Sequence, residues 1–240
     1  MDLEKINNLI TDIVDVNRFS MVSKPLFETV TRNYYNINRL QGDIIECGVW
    51  KGGFSVFLSH LFNDRKIWVC DSFDLSAFQP IRDAKYKNLT FNNNGKMVER
   101  FQQGDDMGMR IELPNVKWVF NNYGLKDDPR IQFVEGFVNK TLPNININKI
   151  ALLRIDVDGY SPTREVLDHL YDKVVPGGMI IFDDLCLIES SEATKDWLSD
   201  KGLPLEVRNP YDDKIYSLKD RVVESESGFH TGSYITKKIR

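Results

Sequence analysis

Residues Asp43–Ser55, "DIIECGVWKGGFS", decide how the chain is read. Ile44, Ile45 and Cys47 make the short apolar run of a buried strand, closed by a turn holding Gly48, Gly52 and Gly53. After the turn, Phe54, Phe57, Leu58, Leu61 and Phe62 recur at i, i+3, i+4, i+7 and i+8, the stripe of an amphipathic helix. Strand, glycine turn and helix in succession are the opening unit of a parallel α/β sheet. Glycines in such a turn permit positive φ and let a ligand come close to backbone.

Outward from this unit the alternation continues. "KIWVC" (Lys66–Cys70) reads as a second strand ending at Asp71, and "RIQFV", "KIALLRI" and "MIIF" as further strands. Ser161 and Pro162 read as the N-cap and first turn of a helix. Its buried stripe is Val166, Leu167, Leu170, Tyr171, Val174 and Val175, and "PGG" ends it. Short strands are expected at "LEVR", "KIYSL" and "GSYIT". The pattern predicts an α/β fold with a mostly parallel sheet covered by helices on both faces, its ligand edge formed by the loops after the strands. Residues 1–240 read as a single domain. Within it, 1–41 form a helical segment, with Leu26, Val30 and Tyr34 at helical spacing, and the polar stretch 76–122 is a candidate lid insertion.

Composition narrows the function. With 42% apolar and 28% charged residues the 240-residue chain is an ordinary globular one, and disorder is not expected. A net charge of −4 argues against a nucleic-acid footprint. The apolar runs are far shorter than the roughly 20 residues a spanning helix needs, so neither membrane span nor leader is expected. The cysteines Cys47, Cys70 and Cys186 are odd in number and form no CxxC pair. They read as buried small hydrophobes in a reducing, cytoplasmic setting.

Two groups of acids carry the chemistry. Glu46 stands at the end of the first strand and Asp71 at the end of the second, where an acid can accept hydrogen bonds from both hydroxyls of a ribose. The glycine spacing is neither G-x-G-x-x-G nor a P-loop. Glu46 would face a pyrophosphate unfavourably and a cationic amino-acid moiety favourably, as S-adenosylmethionine offers. The plainer alternative is that Glu46 caps a helix and Asp71 merely terminates a strand. The second group is Asp156 and Asp158 in "LLRIDVDGYSPT" with Asp183 and Asp184 in "GGMIIFDDL". If the two strands are neighbours, four carboxylates crowd one sheet edge, and a hard divalent cation such as Mg²⁺ would relieve the repulsion. Asp183 and Asp184 are adjacent, so both reach one ion only if the chain leaves the strand there.

"GDIIECGVWKGG", "CDSF", "VFNNYGLKDDPRIQFVEGFVNKTLP", "LLRIDVDGYSPT" and "VVPGGMIIFDDL", in this order, resemble the macrocin O-methyltransferase family. The resemblance spans roughly Gly42 to Leu185. It implies a class I, Rossmann-like methyltransferase that uses S-adenosylmethionine and a divalent metal, expected to be Mg²⁺, on sugar hydroxyls of natural products. By that likeness Glu46 and Gly48 lie beside the methionine moiety and Asp71 at the ribose. Glu135, Gly136 and Phe137 lie beside the adenine, and Trp50, Ser55 and Ser72 complete the cofactor set. Asp156, Asp158, Asp183 and Asp184 hold the metal, Asp156 also touching cofactor and acting as general base. Tyr160 and His230 are the candidate acceptor contacts. The chain reads D-V-D-G-Y-S-P-T where the family commonly shows D-G-D-x-Y-x-S-T, so Val157 stands in a glycine's place.

The expected activity is thus metal-dependent O-methylation of a sugar or glycosylated small molecule. A methyltransferase of the same fold acting on a catechol, amine or carboxylate, and a non-catalytic cofactor-binding member, are the alternatives. The expected partners are a small-molecule acceptor, no nucleic acid and no membrane. Oligomeric state is left open, a homo-oligomer being one expectation, with the N-terminal helices either mediating self-association or closing the lid.

Overall fold

The computed structural model describes residues 2–73, 89–91, 97–99, 111–219 and 232–238. Helix α1 (Leu3–Thr11) runs into one π-helical turn (Asp12–Val16), and α2 (Lys24–Arg32) and α3 (Tyr34–Asn38) follow. Then come β1 (Asp43–Cys47), α4 (Gly53–Leu61), β2 (Ile67–Asp71), β3 (Leu89–Phe91), β4 (Met97–Glu99) and α5 (Leu113–Asn122). The second half contains β5 (Ile131–Glu135), α6 (Val138–Thr141), β6 (Ile150–Ile155), α7 (Tyr160–Leu170) and β7 (Val174–Phe182). It closes with α8 (Ile188–Asp200), β8 (Glu206–Arg208), β9 (Ile215–Ser217) and β10 (Ser233–Thr236).

Among the described residues eight strands form one sheet in the order β5-β2-β1-β6-β7-β10-β8-β9. The pairs from β5 to β7 are parallel, whereas β10 lies antiparallel to both β7 and β8. Strand order therefore reverses between β1 and β6, the place where open parallel sheets leave a crevice. Alternation along the strands divides the core between two faces. Ile44, Val69, Leu152 and Ile181 pack with Ile13, Phe27, Phe54, Phe57 and Phe120 on one side. Ile45, Cys47, Leu153 and Ile180 pack with Val138, Val166, Leu170 and Trp197 on the other. This is the predicted α/β layering. No helix among the described residues is long and apolar enough to cross a membrane.

The N-terminal segment is bound into the fold. The π turn ends at Asn17, whose amide bonds back to the Asp12 carbonyl at 2.9 Å. The Asp12 carboxylate accepts from the Tyr123 hydroxyl at 2.5 Å and from Asn17 at 2.9 Å, tying the segment to the end of α5. The Phe19 carbonyl then accepts the Gly53 amide at 3.0 Å, satisfying one of the orphan donors at the start of α4.

Two local expectations need correction. Helix α7 begins at Tyr160 after Gly159, so Pro162 lies in the first turn as expected but Ser161 is inside the helix and Gly159 is the cap. Val174 and Val175 belong to β7, and the "PGG" segment sits within that strand as an irregularity. Ile150 pairs with Val174, but Leu152 already pairs with Met179. Proline, which cannot donate to a ladder, is tolerated where pairing is interrupted in this way. Of the candidate lid, only 89–91, 97–99 and 111–122 are described; the rest lies outside the described residues.

Candidate functional site

The glycine loop after β1 is held from several sides. Gly48 has φ +85°, and a Cβ there would lie 1.6 Å from the Asp156 carbonyl oxygen, so only glycine lets the β1 and β6 loops meet. Gly52 (φ +84°) receives α5, whose Val116 would stand 2.8 Å from an added Cβ. Asp71 folds back onto the loop. Its Oδ2 accepts the amides of Val49 (2.8 Å) and Trp50 (3.3 Å), its Oδ1 the Phe73 amide (3.0 Å) and the Ser72 hydroxyl (3.3 Å). Trp50 itself takes φ +48°, with the Lys51 ammonium 4.3 Å from its ring centre. The Gly136 amide bonds to the Asp71 carbonyl at 2.9 Å, which sets the exposed Glu135 and the 40% exposed Phe137 ring at the adjoining rim.

Beneath this loop lies a charge cluster that sequence reasoning reached only in part. Glu46 is completely buried; its Oε2 accepts from Ser55 and its Oε1 from Arg154. It thus stands under the loop, because an even-numbered β1 position points at α4. Burial pushes its carboxyl up to about 7, outweighing the opposing pull of Arg154 and the Ser55 hydroxyl. Arg154 is the residue that was missed. It sits inside the apolar-looking "LLRI", paired in register with Glu46 across β1 and β6, and is 2% exposed. A basic residue in a buried run, two before Asp156, was the signal that went unread. Burial opposes its charge, but Asp156, Asp183 and Glu46 more than compensate and hold its pKa above the ordinary value.

The four aspartates separate into three and one. Ligand oxygens of Asp156, Asp158 and Asp184 all lie within 4.8 Å of one another. Asp183 does not join them. It follows β7 directly, and adjacent residues at a strand end face opposite ways. Its Oδ1 lies 2.9 Å from Arg154 Nη2 as an ion pair without an aligned hydrogen bond. Asp158 reaches the cluster by a turn and not by strand alternation. It adopts φ +58°, a conformation aspartate tolerates, and its amide donates to Asp184 Oδ2 at 2.9 Å. Here aspartate carries the left-handed geometry next to Val157. Asp156 is shared, pairing with Arg154 Nη2 at 2.7 Å while facing the other two acids. Burial of the site foremost, and crowding by Asp183, Asp184 and Asp158, raise its carboxyl well above the usual range against the pull of Arg154. Its side chain keeps 26% exposure, so water relieves part of that push.

Tyr160 is a strut. As the first residue of α7 it donates its hydroxyl to Asp196 of α8 at 2.9 Å. His230 lies outside the described residues.

A family model described as Macrocin-O-methyltransferase (TylF) matches residues 16–215. The chain is 32% identical over 171 residues to mycinamicin III 3''-O-methyltransferase of Micromonospora griseorubida, covering 69% of this chain and 64% of that protein. It is 30% identical over 171 residues to the 8-demethyl-8-(2,3-dimethoxy-alpha-L-rhamnosyl)-tetracenomycin-C 4'-O-methyltransferase of Streptomyces olivaceus, covering 68% and 60%. The matches thus span less than two thirds of these relatives' own length. In three dimensions the structure of the O-methyltransferase NovP superposes with a TM-score of 0.65 at 23% identity, covering 92% of this chain and 83% of that one. That likeness shows a shared class I methyltransferase fold. Because the family match takes in the glycine loop, Arg154 and all four aspartates, the chain belongs to the macrocin O-methyltransferase family.

Proposed function

We propose that this chain transfers a methyl group from S-adenosylmethionine to a hydroxyl of a sugar or glycosylated small molecule, with a divalent cation held at the acid cluster. The observation that carries this reading is the meeting of the two sites at the β1/β6 crevice. There the Gly48 backbone lies against the Asp156 carbonyl, so a ligand on the glycine loop and one on the acids would be neighbours. The Streptomyces olivaceus relative is named for O-methylation of a rhamnosyl-bearing tetracenomycin, which supports a sugar-bearing acceptor.

The donor set fits a hard cation. Among the described residues the converging group is three carboxylates, and oxygen ligands suit Mg²⁺ or Ca²⁺. Asp156, Asp158 and Asp184 would hold it, and when bound it would acidify and orient an acceptor hydroxyl. The glycine loop and the Phe137 rim fit a nucleoside with an amino-acid tail, whose sulfonium would supply the methyl group. The chain's own tasks are then defined. Gly48 permits close approach, Asp71 fixes the Val49 and Trp50 amides, and Phe137 offers an aromatic face at the rim. Asp156 stands where it can accept the proton released by the hydroxyl.

The test is a methyl-transfer assay with S-adenosylmethionine across glycoside, sugar-nucleotide, catechol and amine acceptors, with Mg²⁺ or with excess EDTA. Methylation of a sugar hydroxyl that EDTA abolishes and Mg²⁺ restores is expected. Transfer to catechols or amines alone, or full activity in EDTA, would overturn the acceptor or the metal assignment respectively.

A further inference from the structure

We infer that Arg154 is a positioning residue that couples the glycine-loop end of the site to the acid-cluster end, an inference that rests on the proposed function for the identity of the two ligands. One guanidinium reaches both ends. Nη1 donates to Glu46 and stands 3.5 Å from the Gly48 carbonyl, at the loop. Nη2 bonds Asp156 at 2.7 Å and pairs with Asp183 at 2.9 Å, at the acids. The Phe54 ring of α4 lies 4.9 Å from its central carbon and closes the remaining side.

Three properties make this a coupling device and not a simple counterion. The guanidinium is a rigid planar fork, so a displacement of Asp156 turns Nη1 as well and moves its hold on Glu46 and Gly48. At 2% exposure the guanidinium itself is shielded from solvent screening. And Arg154 is one positive charge divided among three carboxylates. Whatever draws Asp156 away leaves more of it for Glu46, and whatever neutralises Glu46 leaves more for Asp156. A cation at Asp156, Asp158 and Asp184 competes with Arg154 for Asp156, and Glu46 decides that competition without touching the cation.

The signs follow. Glu46→Gln releases the guanidinium toward Asp156 and Asp183, so Mg²⁺ should bind several-fold more weakly although Glu46 is no member of the acid cluster. Arg154→Lys keeps the charge but not the fork. In that background the Glu46→Gln effect should shrink to within twofold, whereas direct long-range attraction between Glu46 and the cation would leave it unchanged. Hydrogen exchange on ligand-free protein supplies a readout independent of any ligand. Arg154→Lys should lose protection tenfold or more in segments 46–53 and 156–159 together, with β2 and β5 unaffected. Unchanged exchange, or uniform loosening of the whole sheet, would make Arg154 a plain core ion and sink the inference. S-adenosylhomocysteine and Mg²⁺ titrations of the wild type separate this from the function. If neither binds, the proposed function falls, while the exchange result still judges Arg154.

Discussion

Glu46 shows how one buried carboxyl links burial to pH. In the folded chain its pKa stands near 7 against an ordinary 4.5, so between those values the native state holds a proton that the unfolded state has released. Stability from this group is therefore full below about pH 4.5 and is lost as pH rises through 7, on the order of 3 kcal/mol in all. Urea unfolding of ligand-free protein from pH 4 to 8 should show the wild type losing stability relative to Glu46→Gln over that window. Parallel profiles would mean that Arg154 and Ser55 keep Glu46 ionised throughout. The sequence placed Glu46 at the end of the first strand but did not reveal its pairing with Arg154. A strand position tells which face a side chain takes, yet not which partner on a neighbouring strand will claim it. Arg154 was hidden for the same reason, its partners lying on other strands and in other loops.

Elements were legible where period and burial agree. Strands β1, β2, β5, β6, β8, β9 and β10 fall at the expected runs, most plainly β1, β2 and β6, because buried parallel strands are short continuous hydrophobic runs. The exceptions are instructive. "PGG" carries every mark of a helix stop, but the helix had already ended at Leu170, and the three residues instead interrupt the pairing of β7 with β6. Tyr160 is a candidate acceptor contact by the family pattern, and helix geometry sets it beside α8, where Asp196 takes its hydroxyl. Tyr160→Phe should therefore cost about 1 kcal/mol of stability by loss of that hydrogen bond. S-adenosylhomocysteine affinity should stay within twofold. A methyl-transfer rate that collapses while stability is unchanged would return Tyr160 to the acceptor site.

At the scale of the whole molecule, the strand order puts negative charge where the sheet opens. Strands β6 and β7 run side by side and end in Asp156, Asp183 and Asp184, with Arg154 buried among them and paired to Asp156 and Asp183 to offset the repulsion. A ligand that binds only the folded state stabilises it by mass action, about 2.7 kcal/mol when present at 100 times its Kd. For a chain of this size that is a rise in Tm of roughly 5–10 °C on adding Mg²⁺. The rise should be much reduced in Asp184→Asn. Equal melting temperatures with and without Mg²⁺, in both proteins, would leave the acid cluster without a cation.

The pairing of Glu46 with Arg154 also bears on how the protein is made. The two residues are 108 positions apart, so a chain growing from its N-terminus completes β1, the glycine loop and α4 long before its guanidinium exists. Until β6 has been synthesised, the nascent half cannot bury Glu46 with its charge matched. Any early sheet of β1 and β2 must keep that edge open to water or hold the glutamate protonated. The order of translation thereby keeps the β1/β6 crevice from closing until residue 154 has been added.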